Sequence, residues 1–76
     1  MREKMSAKYT FKTATDFKNF LRANHENAQE LFRVFVELQA KFHDDKIIAH
    51  NICVLAAQGE KPYMIAEILN YEYASV

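Results

Sequence analysis

A chain of 76 residues has room for one domain. Half of its residues are apolar, and six Phe and four Tyr among them exclude wholesale disorder. Formal charge is zero, and a single cysteine, Cys53, excludes both an internal disulfide and a thiolate zinc cluster.

A domain this small buries only about 60–65% of the surface that its unfolded chain exposes. With no disulfide staple, the fold must come from tight helix packing or from another surface. The solitary thiol, with no signal peptide and no membrane-length apolar run, points to a soluble cytoplasmic protein. Charge is unevenly placed. Residues 1–24 set six cations against two carboxylates, whereas residues 25–76 set four cations against eight carboxylates. A basic end on an acidic body can orient an encounter with phosphate or an acidic partner, and it can equally be self-complementary.

Residues 1–12 read as a flexible basic arm and residues 13–76 as a single helical domain. Within the arm, Tyr9 and Phe11 bracket Thr10, an alternation that also suits an extended lead-in lying against a core. Either Thr13, with Asp16 three residues on, or Thr15 can cap a short first helix that buries Phe17, Phe20 and Leu21. Asn24 is expected to close it in the left-handed conformation.

The stretch from Asn27 to Phe42 is expected to be the central helix. Leu31, Phe35, Leu38 and Phe42 recur at steps of three and four, and Ala28, Phe32 and Val36 widen the stripe. Glu37 and Lys41 form an i,i+4 pair in the favourable order on the wet side, and Arg33 and Glu37 a second one in the reverse order. Asp44 or Asp45 can cap a third helix over about Lys46 to Gln58, with Ile48, Ile52 and Leu55 inward. Gly59, the sole glycine, falls where a left-handed cap is needed, and Pro62 suits the first turn of a fourth helix. That helix buries Ile65, Ile68 and Leu69 and is expected to end at Asn70, after which the tail could begin another helical turn or lie extended against the bundle. The fold class is therefore all-α, a compact bundle of four helices with a C-terminal helical hairpin around Gly59–Pro62.

Little in the chain carries reaction chemistry. One glycine cannot build a phosphate-cradling loop. His50 and Cys53 lie three apart on one helix, but a nucleophile pair also needs an orienting group and an oxyanion hole, and Cys53 sits in an apolar run. A buried structural thiol is the expectation. His43, Asp44, Asp45 and His50 lack metal-ligand spacing, and the two Asp are better used as caps. No catalytic residue, cofactor or metal is assigned.

Tyr63, Tyr71 and Tyr73 cluster toward one end of the chain, with Lys8, Lys12, Lys18 and Arg22 toward the other. The cations suit phosphate, and the tyrosines could stack on unpaired bases. The commoner reading makes the rings half-buried edges of a small core with their hydroxyls in water.

Two resemblances add to this. The segment ICVLAAQGEKPYMIAEILNYEYASV, residues 52–76, resembles the helix-turn-helix of LuxR-type regulators in its apolar pair, its Ala-Gln-Gly, its Ile65-Ala66 pair and Leu69. Glu72 stands where that family usually begins its recognition helix with serine, and only a turn of that helix would fit before Val76. The likeness implies helix–turn–helix packing, with no base-reading residue to transfer. The whole chain, from MREKMSAKYTFKTATDFKNFL to ILNYEYASV, resembles the small helical polypeptides associated with UvsW, the recombination-repair helicase of T4-like phages. That resemblance implies an auxiliary, non-enzymatic part serving a helicase in DNA branch processing. Its partners would be the helicase or another repair protein and single-stranded or branched DNA. A regulatory adaptor that binds a protein partner is the alternative.

Overall fold

In the computed structural model, which describes residues 9–75, Thr13 is extended and its Oγ1 accepts the Asp16 N–H at 3.2 Å. That bond satisfies one of the amides a helix start leaves free, and α1 runs from there over Ala14–Asn24. Phe17 and Leu21 are its buried residues, and Phe20 lies at the edge of the core. The left-handed residue expected at Asn24 is absent. Asn24 instead donates its side-chain amide to the Phe20 carbonyl at 2.8 Å, and His25 leaves the helix in extended backbone. The Asn24 side chain is thus folded back on the last turn of its own helix, and the chain leaves α1 without a left-handed residue.

Helix α2 covers Ala28–Phe42 and buries Leu31, Val34, Phe35 and Leu38. It packs against each of the other three helices, as the Phe-bearing stripe predicts. Phe17 of α1 meets Phe35 of α2 with ring centroids 4.8 Å apart, within the range in which tilted rings attract. The left-handed residue appears at the other end of this helix, where His43 has φ 60° and its N–H returns to the Gln39 carbonyl.

Helix α3, Asp45–Ala57, buries Ile48, Ala49, Ile52 and Cys53. It ends in a double closure. The Gly59 N–H bonds the Ala56 carbonyl at 3.0 Å and the Glu60 N–H bonds the Leu55 carbonyl at 3.1 Å, with Gly59 at φ 95°. Such a Schellman ending favours glycine at its left-handed position, where a Cβ adds backbone strain. Pro62 then opens α4, Pro62–Ala74, which buries Ile65 and Leu69 and packs on α2 and α3. The described residues contain no strand, so the all-α four-helix bundle stands.

Two expectations about α4 need correction. It does not stop at Asn70, whose amide bonds the Ala66 carbonyl at 2.8 Å while its Oδ1 accepts from Lys41 Nζ of α2 at 3.2 Å. It also runs unbroken past Glu72, leaving no turn where the LuxR-type likeness would start a second helix. Three of the predicted core residues, Phe20, Leu55 and Ile68, are only partly buried, while Val34, Ala49 and Cys53 are buried. Tyr9 and Phe11 do lie on the core. The Tyr9 ring is 5.9 Å from Phe20 and 5.8 Å from the His50 imidazole, and Phe11 is 5.2 Å from Phe17.

Candidate nucleic-acid interface

Helices α1 and α2 do not close completely against one another. Between them lies an open cleft of about 460 Å³ lined by Lys18, Arg22, Ala28, Gln29, Phe32 and Arg33. Its geometry follows from helical spacing. Lys18 and Arg22 are four apart and so share one face of α1, and Gln29 and Arg33 do the same on α2. Core packing by Phe17 and Leu21 on one side and Leu31 and Phe35 on the other fixes how those two faces meet.

Three cations line the cleft and no carboxylate does. At its floor Phe32 is half-buried, tilted against Phe35 at 5.5 Å and Phe17 at 6.1 Å. The Lys18 ammonium lies 5.4 Å from the centre of the Phe32 ring, a cation–π contact. A lysine on a flexible stem can leave such a contact for a phosphate, whereas arginine offers a planar fork that grips two oxygens. Cations confined to a concave surface attract anions more strongly than the same charges scattered over a flat one.

The structure sorts the residues predicted for this role. Lys18 and Arg22 stand together in the cleft. Lys12 does not join them and lines a separate cavity of about 120 Å³ near the start of α1, with Asp45 and Lys46 beside it. Lys8 lies outside the described residues. Tyr63 and Tyr71 are 66% and 76% exposed on α4, far more than core-edge rings would be. Tyr73 differs from both. It packs on Phe42 with ring centroids 5.3 Å apart, and its hydroxyl accepts from Asn51 Nδ2 at 2.8 Å, so that ring is committed to the fold.

Arg33 and Phe32 complete the cleft without having been marked in the sequence. Arg33 reads there as a wet-side partner of Glu37, and Phe32 as one more member of the apolar stripe. The repeated four-residue spacing was visible, but which faces meet depends on how α1 crosses α2.

Cys53 and His50, the other chemical candidates, both take part in the packing of the bundle. Cys53 is fully enclosed, and burial pushes its thiol up to about 12, so the nucleophilic thiolate is scarce at neutral pH. His50 lies tilted against the Tyr9 ring. Among the described residues no group of three or more His, Cys, Asp or Glu is placed to hold a metal, and no helix is long and apolar enough to cross a membrane. Comparison with protein-family models, with curated proteins and with solved structures returns no match to this chain.

Proposed function

We propose that this chain is a non-enzymatic accessory domain for DNA recombination or repair, which assists a helicase through protein contacts and a modest nucleic-acid contact in the cytoplasm. The observation that carries the nucleic-acid half is the meeting of Lys18, Arg22 and Arg33 around Phe32 in one cleft. The whole-chain resemblance to the polypeptides associated with UvsW supports the helicase half. The enclosed Cys53 supports an absence of turnover chemistry.

Titration of single-stranded and forked DNA at two salt concentrations tests the nucleic-acid contact. Binding should be weak and salt-sensitive. With three phosphates engaged on a single strand, log K should fall against log salt with a slope of about −2. No binding at low salt eliminates the nucleic-acid contact and leaves only the protein contact.

The exposure of Tyr63 and Tyr71 favours a second reading, a regulatory adaptor that grips a protein with α4. For a purified helicase partner, capture unchanged by both Met64→Asp and Tyr71→Ala counts against it.

A further inference from the structure

We infer that the outer row of α4, Tyr63–Glu67–Tyr71, docks into the α1–α2 cleft of a second copy of this chain. The two surfaces differ in charge. The cleft is lined by three cations, Lys18, Arg22 and Arg33, and by no carboxylate. The row on α4 brings one carboxylate, Glu67, and no cation of its own, with Lys61 at the helix start and Lys41, bonded to the neighbouring Asn70, at its margin. Their shapes also correspond. Residues four apart on a helix form a ridge, and a helix can lay one such face into a groove on a partner's surface. Along α4 the row repeats every four residues, about 6 Å, and the cleft repeats its own residues at the same interval, Lys18 to Arg22 and Gln29 to Arg33.

The contact pairs Glu67 with an arginine fork and lays tyrosine rings beside cations. Lys18 already makes an interaction of the second kind with Phe32 inside the cleft. Exposure of 66% at Tyr63 and 76% at Tyr71 leaves both rings free to enter. One ridge in one groove buries less than the roughly 1,200 Å² of a stable interface, so the association is weak and dynamic. Because the two patches differ, the contact is head-to-tail and continues beyond two copies as concentration rises. It also covers the cleft proposed above for nucleic acid. The docking itself does not depend on that proposal.

Sedimentation of the full chain up to about 1 mM, at roughly 0.02 M and 0.2 M salt, tests the docking. Self-association is expected at the lower salt and should weaken about tenfold at the higher, as screening removes surface attraction. Glu67→Arg and Arg22→Glu should each stay monomeric at low salt, and mixing the two should restore association, since the intact cleft of one meets the intact ridge of the other. Circular dichroism confirms that each variant is folded, and Glu67→Gln with Tyr71→Ala replaces a charge reversal that is not. A wild-type chain that is monomeric at low salt overturns the inference. So does association that survives Glu67→Gln and Tyr71→Ala, or a mixture of folded charge-reversed variants that stays monomeric. DNA is absent from every arm, so failure here leaves the nucleic-acid titration untouched.

Discussion

Asn51 of α3 donates its side-chain amide to the Tyr73 hydroxyl of α4 at 2.8 Å, in a partly buried setting. This bond and the Tyr73–Phe42 ring contact hold the last turns of α4 onto the bundle, beyond the Asn70 where the sequence suggested an end. Tyr73→Phe keeps the ring and strands the Asn51 donor. The expected loss is about 1 kcal/mol, measured by urea unfolding.

The same residue sets a dependence on pH. Desolvation raises the Tyr73 phenol above its usual value near 10, with Glu72 and Asp44 adding to the rise and the Asn51 bond opposing it. A phenol that holds its proton more tightly folded than unfolded contributes stability below pH 10, and that contribution is lost as the pH rises further. Stability of the native chain should therefore fall as pH climbs above 10, and Tyr73→Phe should make that fall shallower. An unchanged slope in the variant would assign the alkaline loss to other groups.

Among the described residues two have positive φ, and they respond oppositely to substitution. Gly59, at φ 95°, has open space where a Cβ would sit, so Gly59→Ala meets no clash and only backbone strain. The cost should be about 1 kcal/mol. His43 bears that strain already at φ 60°. His43→Gly should stabilise the fold by about 0.5–1 kcal/mol, offset in part by the greater freedom of the unfolded chain. Thermal melts of both variants check the two signs.

Local signals were the legible ones. The Gly59 ending and the start at Pro62 each depend on fewer than about six neighbouring residues and stand where the sequence puts them, and the first cap falls on Thr13, one of the two threonines the sequence offers. Choices made between distant residues were not legible. Asn70 reads as a stop until Lys41, 29 residues away, is seen bonded to it. Asn24 is a local exception: it reads as a left-handed residue, and its amide instead returns to the Phe20 carbonyl four residues back. The cleft was half legible in the same sense. Lys18 and Arg22 follow from charge and spacing, while Arg33 and Phe32 join them only through the packing of α1 on α2.

The thiol offers a direct probe of the core. Cys53 is 0% exposed, and burial holds its proton up to about 12 against an ordinary value of 9.0. Labelling by a thiol reagent at neutral pH should be slow and should accelerate in urea in step with global unfolding. Because the folded thiol keeps its proton to higher pH than the unfolded one, its contribution to stability is complete below 9.0 and is lost between there and about 12. Cys53→Ala should reduce this alkaline loss. Rapid labelling of folded protein would instead mean that α3 opens locally, and would reopen a chemical role for the Cys53–His50 pair.

The cleft makes the sharpest demand on the proposed nucleic-acid contact, because it separates cations that work together from one that does not. Lys18→Gln, Arg22→Gln and Arg33→Gln each remove one charge from the same cavity. Each should reduce the salt slope of single-strand binding by about 0.7 and weaken binding across all sequences. Lys12 lines a different cavity with Asp45 at hand, so Lys12→Gln should leave the slope nearly unchanged. On that proposal Phe32 acts through its ring face. Phe32→Leu keeps an apolar floor, removes the surface on which a base can stack, and should lower affinity for an ordinary strand more than for an abasic one. Equal slopes in all four charge variants would mean diffuse attraction to the basic end of the chain rather than binding in the cleft.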